Sequence, residues 1–288
     1  MSTDANTKFK ISVLLKVTFS ILSLVIAMLA GYIFSQENFS HAQNGSSGIY
    51  NASTLKVNTS SRVTPKCISL CSQGPLVTNN GGSALSGSMV LIPVLDSTSP
   101  NYISEGDGFT ESVQVSSEAT QAIIQSYSYM AIKVLPPIAI PLGLSGRYNT
   151  DKGIPAISGI SNAQKSGLIP AGAIPVILVQ NTASIWGDGN KECGIHLYPS
   201  TSTSNVPIIY VSNDKSYCYG GISEFISHEI AETITNPNGT GWATWGHLNP
   251  QGLANEIADE CSNVYYKFKG YSMSSVYLNS LGGCSGLS

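Results

Sequence analysis

Three stretches of the chain are continuously apolar and bounded by polar residues: Met89 to Leu95, Ala173 to Gln180 and Pro207 to Ser212. Runs this short and this rich in Val and Ile predict buried, central strands. Elsewhere the spacing changes to that of helices. Ser116 to Ile132 carries Ala119, Ala122, Ile123, Tyr127, Met130 and Ala131 at steps close to three and four, ahead of the break at Pro136-Pro137. Gly220 to Thr235 has the cleanest helical pattern, with Ile222, Phe225, Ile226, Ile230 and Ile234 on one face, and it stops before Asn236-Pro237. A shorter helix is expected over Leu253 to Cys261. The tail, Val264 to Phe268 and Tyr271 to Leu278 around Lys269-Gly270, alternates as a hairpin does. The fold class is therefore α+β with a mixed sheet.

The N-terminal part reads differently. Val17 to Phe34 is an uncharged run of 18 residues preceded by Lys8, Lys10 and Lys16. At about 1.5 Å per residue it covers roughly 27 Å, close to the hydrocarbon thickness of a bilayer, and the lysines place everything after it outside the cytoplasm. Residues 1–42 are thus either a signal peptide, cut after Ser40-His41-Ala42, or a signal anchor that holds the protein to the membrane through residues 17–34. Residues 43–88, dominated by Ser, Asn, Gly and Thr, are expected to be a tether. The alternative is an irregular lobe pinned by Cys67 and Cys71. Residues 89–288 form the extracellular domain.

Composition narrows the function. Only 11% of the 288 residues are charged and the net charge is −3, against about 25% charged in an ordinary soluble domain. No basic stripe is available for a phosphate backbone, so nucleic acid is excluded as a partner. Hydrophobic residues make up 42% of the chain, enough for a packed core. All six cysteines lie beyond the membrane run, and an even number outside the cytoplasm reads as disulfides. Of the fifteen connectivities, Cys67 with Cys71, Cys193 with Cys218 and Cys261 with Cys284 is preferred because each pair brackets a short segment.

The scarcity of charge makes one cluster conspicuous. Six of the 17 acidic residues and two of the four His fall between Glu224 and Glu260. Within the best helix lies His228-Glu229-Ile230-Ala231-Glu232. His228 and Glu232, four apart, share a face and can ligate one ion, while Glu229, one step round, can act as the catalytic base on a bound water. On the helical wheel Glu229 falls between Ile222 and Phe225, where a carboxylate must be paired, protonated or catalytic. The third ligand is expected to be Glu256, with His247 as its rival and Asp259 orienting His228 from behind. His196, in Cys193-Gly194-Ile195-His196, reads as a structural residue at a strand end. Zn²⁺ is the expected ion; a carboxylate in place of the second His of HExxH also leaves Mg²⁺, Mn²⁺ or Ca²⁺ open. His247 and Tyr265 are the candidate donors to an oxyanion.

Cys193-Gly194-Ile195-His196, Ser227-His228-Glu229-Ile230-Ala231-Glu232, Thr235-Asn236-Pro237, Gly241-Trp242 and Glu256-Ile257-Ala258-Asp259 before Cys261 resemble, in that order, the Exordium or phosphate-induced protein family. That resemblance implies an exported, cysteine-containing, cell-surface domain of zincin-like character. Two functions follow as expectations. One is a secreted or membrane-tethered metal-dependent hydrolase, a zinc metallopeptidase acting on a peptide or a cell-surface polymer. The other is a non-catalytic Exordium-like cell-wall binding protein with a structural or vestigial metal site, in which exposed Trp242, Trp245 and Tyr residues meet glycans or a partner.

Overall fold

A computed structural model of the chain describes residues 64–144, 157–180, 192–198, 206–248 and 254–287. All of them belong to one unit, Arg62–Ser288. In chain order the strands are β1 (Pro65–Ser69), β2 (Thr78–Asn79) and β3 (Gly87–Asp96), followed by helix α1 (Tyr102–Ile123), β4 (Met130–Val134) and β5 (Ile138–Ile140). Helix α2 (Ile157–Lys165) precedes β6 (Ile174–Val179), β7 (Gly194–Leu197) and β8 (Ile208–Ser212), and helix α3 (Ile222–Thr235) follows them. Last come β9 (Trp242–Leu248), β10 (Ala254–Glu256), β11 (Tyr265–Phe268), β12 (Tyr271–Ser274), β13 (Val276–Leu278) and β14 (Gly283–Leu287). The architecture is mixed α+β. No described helix is long and apolar enough to cross a membrane; Val17 to Phe34 lies outside the described residues.

The three apolar runs become the centre of the main sheet, in the order β4-β3-β6-β8-β7, with β5 beside β3. All its pairings are parallel except β7 with β8, so β7 is an antiparallel edge strand. Pro93, which has no N–H to give a ladder, falls in the gap where β3 changes partner, from β4 at Leu91 to β5 at Val94. Alternate residues feed two cores. Leu91, Val176, Leu178, Ile209 and Val211 face α1 and α3. Val94, Ile177, Val179, Ile208 and Tyr210 face the side that holds Ile160 and Ala163 of α2. Burial on both faces explains why these strands read as unbroken apolar runs.

Helix α3 matches its expected span, with Gly221 as N-cap and Ile226, Ile230, Ala231 and Ile234 fully buried. It packs on α1 through small hydroxyl residues: Ser116 Oγ donates to the carbonyl of Ser223 at 2.8 Å, and Thr120 Oγ1 to that of Ser227 at 3.3 Å. On the other side Ser223 Oγ donates to Ser272 O, and Ser227 Oγ accepts from Ser274 N. Backbone groups tied off in this way let the helix lie buried on several sides.

Four expectations are corrected. The helix predicted over Ser116 to Ile132 starts 14 residues earlier, at Tyr102, and ends at Ile123; Met130 opens β4 instead. Its inner face includes Ser112, Ser116, Ser117 and Thr120, so hydrophobicity alone does not mark it. No helix covers the described part of Leu253 to Cys261: Ala254–Glu256 is a strand paired to β9, and Asp259–Cys261 is a single 3-10 turn. The described end of the expected tether is built into the domain, since β1 pairs with β14, β2 pairs with β9 and Val77 is core. Trp242 is half-buried on Tyr127, ring centres 4.8 Å apart, and Trp245 Nε1 donates to Gly241 O, so these rings are not an open face.

The tail hairpin forms as expected between β11 and β12. Lys269 and Gly270 at its tip both have positive φ, the primed turn that matches the twist of the strands and that Gly adopts without a steric penalty. All three preferred disulfides, Cys67–Cys71, Cys193–Cys218 and Cys261–Cys284, are formed, and no described cysteine is free. Three disulfides are the chemistry of an oxidising, extracellular compartment.

Candidate metal centre

Three elements converge on one point. Helix α3 supplies His228, Glu229 and Glu232; edge strand β7 supplies His196; the segment from β10 into the 3-10 turn supplies Glu256 and Asp259. Glu229 lies on the side of α3 that meets β7, buried to 4% exposure. Its Oε2 lies 3.1 Å from His196 Nδ1. The close approach depends on Gly194. A Cβ there would sit 2.6 Å from Glu229 Oε1, inside the carboxylate.

Glu232, one turn further along, is equally buried and uses its two oxygens in opposite directions. Oε1 lies 3.1 Å from His228 Nε2, which is itself 3.3 Å from Asp259 Oδ1. Oε2 lies 3.7 Å from His196 Nδ1, and His196 Nε2 is 3.6 Å from Glu256 Oε1. Two ligand groups therefore share one carboxylate: His228, Glu232 and Asp259, and His196, Glu232 and Glu256, each with donor atoms within 4.8 Å of one another. Backbone bonds hold the acids in place. Asp259 N donates to Glu232 Oε1 at 3.2 Å, and Glu256 N donates to Asp259 Oδ2 at 3.3 Å.

The expected set of His228, Glu232 and Glu256 is thus divided. Glu256 is brought to His196 and Asp259 to His228, because this stretch is a strand and a turn, not one helical face. The side chain of His247 lies outside the described residues. Tyr265 donates to Asn263 Oδ1 at 3.3 Å, and Glu224 is also beside it. His196, read as structural from the sequence, belongs to the centre. Two further residues escaped sequence reasoning. Tyr198 meets His196 edge to face at 5.1 Å and donates to Glu256 Oε1 at 3.5 Å, and the Asn236 amide also donates to that oxygen. Asn236 also ends α3, its N–H bonded to the Glu232 carbonyl, so the stop signal Asn236-Pro237 doubles as a support for the site.

The electrostatics are those of acids crowded together away from water. Burial pushes the carboxyl group of Glu229 up to about 8, with Asp259 and Glu192 adding to the effect against the pull of His228. Glu232 and Glu256 are raised as well, first by burial; neighbouring acids add to it, Asp259 at Glu232 and Glu232 itself at Glu256. Burial opposes the charge on His228, yet Glu232 and Asp259 outweigh it and raise that imidazole well above its usual range. Asp259 is held low, its burial outweighed by the hydrogen bond to His228. Imidazole and carboxylate donors at this spacing suit a divalent ion such as Zn²⁺ or Mn²⁺. Comparison with protein-family models, curated proteins and solved structures finds no match. The chemistry of the centre therefore has to be read from its own residues.

Proposed function

We propose that the protein is an exported metal-dependent hydrolase, with a peptide bond as the best-fitting substrate class. One observation carries this reading: four carboxylates and two imidazoles from three separate elements meet in one place, and two of those carboxylates, Glu229 and Glu232, are buried. So much buried negative charge is costly without a cation. The likeness to the Exordium family and the HExxE helix support the same class, with a zincin-like domain as the fold it implies.

When bound, a divalent ion polarises the scissile carbonyl and acidifies a water. The protein's own residues do the rest. Glu229, whose proton affinity lies near neutrality, accepts the water's proton at its carboxylate and returns it to the leaving amine, with His196 Nδ1 holding Oε2 in position. Tyr198, kept protonated by burial and by Glu256, keeps its O–H on Glu256 Oε1 and holds that carboxylate in position. Ser274, 3.5 Å from His228 Nδ1, holds the His228 ring from its other side. Cleavage after Ala42 releases the enzyme; retention of residues 17–34 tethers it to the outer face of the membrane.

The test is hydrolysis of a broad peptide library by the Zn²⁺- or Mn²⁺-loaded exported protein. Activity is expected, abolished by chelation and by Glu229→Gln. A wild-type protein that carries its ion and leaves every peptide intact would sink the hydrolase and leave the cell-surface binding protein in its place.

A further inference from the structure

His196 is the least explained residue of the centre. Its ring is almost wholly enclosed, 4% exposed, on an edge strand where a neutral side chain could have stood. Nδ1 is accounted for, since it lies 3.1 Å from Glu229 Oε2. An ion held at Nε2 would require the tautomer that carries its proton on Nδ1, facing that carboxylate. Nε2 is buried and finds no hydrogen-bond partner among the described residues. Its nearest acidic oxygen, Glu256 Oε1, is 3.6 Å away, too far for a hydrogen bond. A buried, unpartnered ring nitrogen facing a carboxylate oxygen is a place where a cation between them would satisfy both groups.

We infer that the centre takes two divalent cations, the second held by His196 Nε2, Glu232 Oε2 and Glu256 Oε1 beside a first held by His228, Glu232 and Asp259. Glu232 bridges them, one oxygen to each. The inference rests on the metal-dependent reading of the site and adds to it an ion count and a ligand set. The second position has the features of a formed site. Its imidazole is backed by a carboxylate, Glu229, as ligating histidines commonly are. Its Glu256 is steadied by Asn236 and Tyr198. Two ions sharing a carboxylate sit about 3.5–4 Å apart in hydrolytic sites of this kind, a span over which one carboxylate group reaches both.

The experiment is metal stoichiometry on the purified exported protein, dialysed against Mn²⁺ or Zn²⁺ and measured by elemental analysis, with paramagnetic resonance of the Mn²⁺ form. Wild type is expected to hold two ions per chain and to show a spin-coupled pair. Glu256→Gln, a change at the more open end of the site, is expected to hold one ion with an uncoupled signal. His196→Ala should do the same, and circular dichroism checks that it folds. One ion per chain at saturating metal overturns the second position and leaves the single-ion hydrolase standing. Two ions that persist in Glu256→Gln place the second ion elsewhere and also overturn it. No ion at all in wild type overturns both this inference and the metal-dependent reading.

Discussion

His196 and Glu229 are 33 positions apart in the chain, yet His196 Nδ1 lies 3.1 Å from Glu229 Oε2. The pair joins the edge strand to the helix that carries the rest of the centre, and its disruption should be felt in ion binding. Glu229→Gln replaces the carboxyl group that meets the imidazole and keeps the volume. Competition dialysis is expected to show metal affinity about 10- to 100-fold weaker, with hydrolysis absent even at saturating metal. Unchanged affinity would mean that His196 needs no support from Glu229.

Gly194 is the point at which that contact is made possible. Gly194→Ala places a methyl group against Glu229 Oε1 and is expected to cost about 1–3 kcal/mol, read as a lower unfolding midpoint. In a Glu229→Ala background the same change should cost much less, because the atom it strikes is gone. Additive costs in this double-mutant cycle would show that the glycine serves some other contact.

Glu256 should change sign with metal. In chelated protein, Glu256→Gln removes one of several crowded acids and is expected to raise stability by about 1–2 kcal/mol. In metal-loaded protein the same variant loses a ligand and should melt below wild type. Thermal unfolding with and without chelator checks both arms; a variant less stable in both states would place Glu256 in a purely structural role.

Asp96 gives a pH dependence away from the centre. At the end of β3 it accepts from Thr98 N and Oγ1 at 3.0 and 2.7 Å, and from Leu142 N and Leu144 N at 2.9 and 2.6 Å. Burial pushes its carboxyl group up, but these donors together hold it below the usual range. A depressed carboxylate contributes stability at pH above its unfolded value, about 3.9, and loses it as pH falls through the folded one. Asp96→Asn is expected to be less stable by about 1–3 kcal/mol at pH 7. The gap should narrow below about pH 4, followed by denaturant unfolding across pH; a gap that stays constant would rule out ionised Asp96 as its source.

Much of the frame was legible because burial leaves a mark on composition. Strands β3, β6 and β8, covered on both faces, read as apolar runs, and α3 reads through its isoleucines. The short spacing of the cysteines pointed to the right pairs. Helix α1 was misplaced because serines and a threonine fill its inner face, several bonded back to the preceding turn, as in Ser117 Oγ to Val113 O at 2.6 Å. Glu256 and Asp259 were expected on one helical face and instead lie on a strand and one 3-10 turn, which has the same acids in the same order as a short helix. His196 could not be found by spacing at all. Its place follows from β7 pairing antiparallel to β8, with His196 opposite Ile209, a register that no local pattern carries.

The Cys193–Cys218 disulfide lies three residues before His196 and three before Gly221, the cap of α3. It therefore clamps together the two elements whose meeting creates the ligand set. Closing a loop of this length is worth about 3–4 kcal/mol through the unfolded chain, and reduced protein is expected to capture ions more weakly than oxidised protein in the same dialysis. Inside the cell, where thiols stay reduced, the strand and the helix rely on packing alone. Under the proposed function, oxidation is then the maturation step: the disulfide ties the strand to the helix only once the chain has left the reducing interior.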